Sequence, residues 1–516
     1  MSNFQLQCGN YPVIEDGFAA YINGFLGGRT GPTGPGGSVA VETMTGYTGA
    51  LSNQASLSVL YPVYNQSMTG YYTLANSSTN GARKTLVMYD VANASSVQTS
   101  RGKIQLLRYQ SYQEFIYNTD HWEKLGENLP WYVGQQQGTG IFGSTATGPG
   151  AFGNSVAIST DGNTLACGSV FDGAGTPHPG KAFVFSRSGS TWSQQATMVY
   201  SGVTGGFGQA VALSSSGNVL AVAANYLTSN GSVSVYNRSG TSWNHVVDLD
   251  RFFGTPPAGA PAQVNPVSSF ASSCAISADG RKIAAGAPLF NTADGNVGGT
   301  WTFTFNGSSW SNEYYLSQNQ ADLLEGTSLA MSANGQLLVV GAPAIDQAGS
   351  PPHIYVYSGS TLQQDITGPS NSLFGQSVAL SLDGGDIFIG APGLTTVVGS
   401  VYQYRYNSLS GLYAIFDQIT IPSNVIGPDL SIYFGYSISL SGNWALAIGG
   451  YGDDSGIGAV WIYINNNGWQ LKEKLIGSSP TGGQFGISTA ISSLGNTLAV
   501  GGPLASGGYG SAWVFI

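Results

Sequence analysis

Alternation of apolar and polar positions dominates this chain. Runs such as SVAIS (155–159), AVALS (210–214), SVALS (377–381) and SISLS (437–441) place Val, Ala, Ile and Leu on one face at period two, the pattern of a half-buried strand. Glycine-containing turns follow, among them Thr160-Asp161-Gly162, Ala278-Asp279-Gly280 and Leu382-Asp383-Gly384. An Asp-Gly step supplies the positive φ that a tight hairpin needs. A continuous apolar run comes next and ends in Gly-Ala-Pro or a near relative: KIAAGAP (282–288), LLVVGAP (337–343), IFIGAP (387–392), NTLAVGGP (496–503). Being apolar on both faces, it predicts an inner strand of a layered β structure. A third strand alternates aromatics, as in SVSVY (232–236), WTFTF (301–305), IYVY (354–357), SVYQYRY (400–406) and AVWIYI (459–464), and a fourth often opens at Trp192, Trp243, Trp310 or Trp469. Helix-period patterns are nearly absent, so the fold class is all-β.

The unit repeats. A phenylalanine-glycine pair opens it at 152–153, 207–208, 374–375, 434–435 and 485–486, with weakened versions at Phe270-Ala271 and Glu325-Gly326. Four antiparallel strands per repeat, each unit too thin to bury its own faces, predict the blades of a β-propeller. Seven copies favour seven blades ahead of eight. The last copy stops after its third strand, so a strand from the N-terminal side must close the ring, and HWEKLGENLPW (121–131) is the candidate. The pattern resembles the FG-GAP repeats of integrin α-subunit heads. That resemblance covers roughly residues 150–516 and implies calcium held by Asp-rich hairpin loops. Here the loops read STDGN (159–163), SSSGN (214–218), SADGR (277–281), SANGQ (332–336) and SLDGG (381–385), without the ligand number calcium demands, so no metal is expected.

Three regions follow: an extension at 1–45, a β-rich stretch at 46–118, and a propeller at 119–516. RKTLVMYD (83–90) and GKIQLLRY (102–109) copy the second and third strand signals and suggest a degenerate extra repeat. GRTGPTGPGG (28–37) is a collagen-like fragment of about three triplets, read first as a polyproline-type linker. Residues 1–45 lack a basic n-region and a long apolar core, so neither a signal peptide nor a membrane span is expected.

Charged residues make up 8% of the chain against roughly a quarter in ordinary soluble domains, while glycine numbers 75. Such a surface suits packing against other proteins. The net charge of −10 argues against nucleic acid. Of three cysteines, Cys167 and Cys274 stand at core valine positions and Cys8 lies in a segment suited to a partner.

No nucleophile elbow, phosphate loop or metal-ligand spacing is present, and the four histidines fall in different repeats. Asp453-Asp454 reads as a turn; Glu123, Glu127 and Glu325 have no convergent partner. The recurring tryptophans read as packing. Non-recurring loop residues are the better protein-interaction candidates: Tyr226, Phe290, and Phe252 and Phe253 in the insertion RFFGTPPAGAPAQVNP (251–266), together with Cys8. No enzyme and no cofactor are expected. The expected function is a structural or interaction platform within an assembly, contacting other structural proteins through residues 1–45 and the propeller loops. GPTGP segments beside Gly/Asn/Thr-rich β domains resemble structural proteins of large DNA viruses, which implies a virion location, in a capsid or surface layer. The alternative is an adhesin or lectin for host glycans or proteins, at an extracellular, cell or spore surface.

Overall fold

The computed structural model describes residues 135–516 with their side chains, apart from short loop stretches, and describes strands between Val41 and Lys124 by backbone pairing. Six four-stranded antiparallel sheets and one three-stranded sheet follow in order from Phe152 to Phe515. The first blade is typical: Phe152–Ile158, Thr164–Ser169, Lys181–Ser188 and Thr191–Met198 pair in chain order. The first strands of consecutive blades touch all the way round, the last against the first, so they form the inner ring of a seven-bladed β-propeller. Second strands such as Thr164–Ser169 and Ala445–Gly450 are buried along their whole length, as their two-sided apolar runs predict.

Ring closure comes from further along the chain than expected. Gln135–Ile141 lies antiparallel to Ser511–Phe515 as the missing fourth strand, with Gln135 N–H donating to Ile516 O (3.0 Å) and Gln137 N–H to Val514 O (2.7 Å). His121–Lys124, inside the expected segment, pairs instead with Tyr112–Asn118. The closing strand escapes a search for apolar alternation because an outermost strand has little to bury. Arg83–Met88 and Gly102–Gln105 lie in different sheets, the former parallel to Leu57–Tyr61, so they are not neighbouring strands of an eighth blade.

The repeat motif is explained by contacts between and within blades. Ser488 Oγ donates to Gly153 O of the next blade, and Ser155, Ser273, Ser328, Ser377 and Ser437 do the same to Gly208, Gly326, Gly375, Gly435 and Gly486. Each acceptor is the glycine of a phenylalanine-glycine pair or its Glu325-Gly326 version. The glycine of Gly-Ala-Pro sits beneath that same carbonyl: a Cβ at Gly168, Gly286, Gly341, Gly390, Gly449 or Gly501 would overlap it. Blade two breaks all three requirements together, with Ala210 opposite Ala223 and Ala271 in the following blade. The phenylalanine of the pair packs on third-strand aromatics of its own blade, as Phe485 does on Trp513 (5.2 Å) and Phe434 on Trp461 (5.4 Å).

Candidate functional site

Strand direction sorts the loops onto two faces. Hairpins joining first to second and third to fourth strands share one face; connections from second to third strands and between blades share the other. On the hairpin face, the polar groups of the repeated turns serve the turns themselves. Ser277 Oγ donates to Asp279 and accepts from Lys282 N–H (2.9 Å), and the same exchange recurs at Ser159–Asp161 and Ser381–Asp383. Backbone bonds then run from turn to turn, Thr160 N–H to Ser215 O, Ser215 to Ala278, Ala278 to Ala333 and Ala333 to Leu382. Their carboxylates are already engaged by hydroxyls and backbone amides. Among the described residues no group of three or more His, Cys, Asp or Glu side chains could hold a metal.

The loop face differs in chemistry. Phe142, Phe171, Phe252, Leu289, Leu504 and Tyr509 are exposed there, across blades seven, one, two and three. Among its described loop residues, Asp454 is the one exposed Lys, Arg, Asp or Glu. Asp172 is buried against Lys181 (3.0 Å), Asp453 against Lys474 (2.6 Å), and the guanidinium of buried Arg251 lies 3.9 Å from the Phe252 ring centroid. The hairpin face, by contrast, exposes Asp279, Arg281 and Asp383.

The candidate residues separate accordingly. Phe252 is exposed; Phe253 is half-buried against the third blade, its carbonyl accepting from Asn312 Nδ2. Phe290 is fully buried, edge-on to Trp301 at 5.0 Å, because its loop folds inward; it serves the core rather than a surface. Tyr226 and Cys8 lie outside the described residues. The fourth-strand tryptophans bond across blades, Trp192 Nε1 to Gln137 Oε1 (3.0 Å) and Trp243 Nε1 to Gln195 Oε1 (2.9 Å). Beside Trp243 an open, uncharged cleft runs between blades one and two, lined by Ser186, Gln194, Gln195, Thr241 and Ser242.

One group gained a role only with the structure. Glu325 occupies the phenylalanine position of the fourth blade, and the hydroxyl of Tyr357, on that blade's third strand, donates to its Oε1 at 3.1 Å. Gln318 N–H donates to Oε2 (2.8 Å) and Gln318 Nε2 to the Tyr357 hydroxyl (2.9 Å). Burial pushes the Glu325 carboxyl up to about 8, against partial compensation from these bonds. The deviation is visible in the sequence; its partner is not. At 1% exposure it is a buried structural acid.

These features define a seven-bladed β-propeller with an N-terminal closing strand. No protein-family model and no curated protein matches the sequence. Among solved structures the chain is similar to Kuenenia stuttgartiensis hydrazine synthase, at 14% identity and a TM-score of 0.47, over 73% of this chain and 98% of that chain. Nothing about activity follows from that likeness. No helix among the described residues is long and apolar enough to cross a membrane.

Proposed function

We propose that this protein is a non-enzymatic structural or interaction protein, its propeller a rigid platform in a virion or surface assembly, as a minor capsid or surface component of a large DNA virus. The observation that carries the platform reading is the loop face, where large apolar side chains are exposed and Asp454 is the one exposed charge among the described loop residues. The scarcity of charge over the whole chain supports the same reading. The viral setting draws its support from the GPTGP segment at 31–35. Fractionation of purified source particles with mass spectrometry tests it. Stoichiometric, salt-resistant presence in a capsid or surface layer is expected; a freely soluble or secreted pool would sink the assembly role.

A second reading, glycan binding, is favoured by the cleft beside Trp243, where an indole, with the Arg238 guanidinium 5.9 Å from its ring centroid, meets uncharged amides and hydroxyls. Glycan-array binding by the monomer, lost in Trp243→Ala, is its expected signature. An empty array would remove it.

A further inference from the structure

We propose that the seam between the third and fourth blades is a pH-operated joint: ionisation of Glu325 releases the connection that carries it, while the other seams stay shut. The other six blades place a buried phenylalanine at this position, Phe152, Phe207, Phe270, Phe374, Phe434 and Phe485. A phenyl ring has no proton to lose, so those positions cannot titrate. The fourth blade places a carboxyl there instead, and it is bonded from both sides of the seam. From the third-blade side, Gln318 N–H donates to Oε2 (2.8 Å) and Gly299 N–H to the Glu325 carbonyl (3.0 Å). From the fourth blade, the Tyr357 hydroxyl donates to Oε1 (3.1 Å) and accepts from Gln318 Nε2 (2.9 Å). Ser317 Oγ adds a bond to Gly298 O (3.3 Å). One residue therefore ties the connection to both blades.

Charge at this point is poorly supported. The titratable groups acting on or with Glu325 are Tyr315 on the third blade's outer strand, Tyr355 and Tyr357 on the fourth blade's third strand, and Asp365 on its fourth. No lysine or arginine is among them. His353 stacks on Tyr355 at 5.7 Å, but its Nδ1 is engaged by Asp365 (2.6 Å). Asp365 opposes a second negative charge, and burial keeps the phenols neutral. A buried carboxylate without a cation gains most by reaching water. Releasing the connection gives it water for the loss of a few hydrogen bonds and leaves the strands of both blades paired. The sign follows from the carboxyl's two environments. Its ordinary value is 4.5 and its closed-seam value about 8, so opening gives up a proton and becomes about tenfold easier per pH unit between them, levelling off above. The joint adds a local response to the platform and does not depend on that reading.

Hydrogen exchange of the full chain tests the joint, read by peptide mass spectrometry at pH 5.5 and 7.5 and corrected for the intrinsic rate. Protection at Gly299 and Gln318, whose amides bond to Glu325, is expected to fall about a hundredfold between the two conditions. Protection at Phe434, whose amide donates to Val398 O at the seam before the sixth blade, should stay level. Glu325→Gln, and Glu325→Phe, which restores the residue of the other blades, should each remove the fall. The comparison between seams is made in the parent and needs neither variant to fold. An equal fall at both seams would make the response global and overturn the proposal. So would constant protection at Gly299 and Gln318, or a fall that persists in Glu325→Gln.

Discussion

Ser488 of the last blade donates a hydrogen bond of 2.8 Å to the carbonyl of Gly153 in the first, fastening the two ends of the ring. Ser488→Ala removes that bond at a half-buried site and is expected to cost about 1 kcal/mol. Gly501→Ala, which drives a methyl into the same carbonyl, costs about 3 kcal/mol, because backbone rather than a side chain must move. Calorimetric melting of the two variants checks the order. Equal effects would mean that the close approach at Gly501 contributes nothing beyond the serine bond.

Glu325 makes stability depend on pH. Its folded-state value of about 8 lies above the ordinary 4.5, so its contribution is fully present below pH 4.5 and is lost as pH rises to about 8. The loss amounts to roughly 3–5 kcal/mol across that window at about 1.4 kcal/mol per unit. Asp365, Tyr315, Tyr355 and Tyr357 are the titratable groups that interact with it electrostatically. Chemical denaturation from pH 5 to 8 should show declining stability, and Glu325→Gln should flatten the slope. An unchanged slope in that variant would assign the effect elsewhere.

The Asp-Gly turns are self-sufficient. Asp279→Ala should cost about 1 kcal/mol by leaving Ser277 and the turn amides short of an acceptor. Calcium and a chelator should leave the melting temperature of the parent unchanged. A calcium-dependent rise would show that these carboxylates leave their hydroxyl partners to bind metal.

Cys167 is fully buried and its thiol is raised by desolvation; Cys274 is pushed up to about 12 by the same cause. Cys167 should not be alkylated in the folded protein and should be after denaturation, as read by peptide mass spectrometry, while part-exposed Cys274, its thiolate disfavoured, should react slowly in the native state. Native labelling at Cys167 would reveal local opening of the first blade.

The sequence made strands legible where both faces or one whole face are buried: the first three strands of each repeat carry their pattern in apolar residues. It was silent at Gln135–Ile141, whose GQQQG stretch packs through polar contacts such as Gln137 with Trp192. Loop residues were the least legible. Phe252 and Phe290 look alike as aromatic members of repeat-specific loops, yet Arg251 caps one at the surface and Trp301 and Tyr315 enclose the other. Glu325 was visible as a break in the motif, but its meaning lies in Tyr357, which only the folded blade brings to it.

The closing strand also sets an order of events during synthesis. Gln135–Ile141 emerges from the ribosome before any blade, yet its partner, Ser511–Phe515, emerges after six blades and most of a seventh. Throughout translation the growing arc therefore carries two unsatisfied ends, one at each extremity. Completion waits on the final strand: a transcript cut short of it keeps the Ser488–Gly153 bond between last and first blades but leaves Gln135–Ile141 without its partner strand.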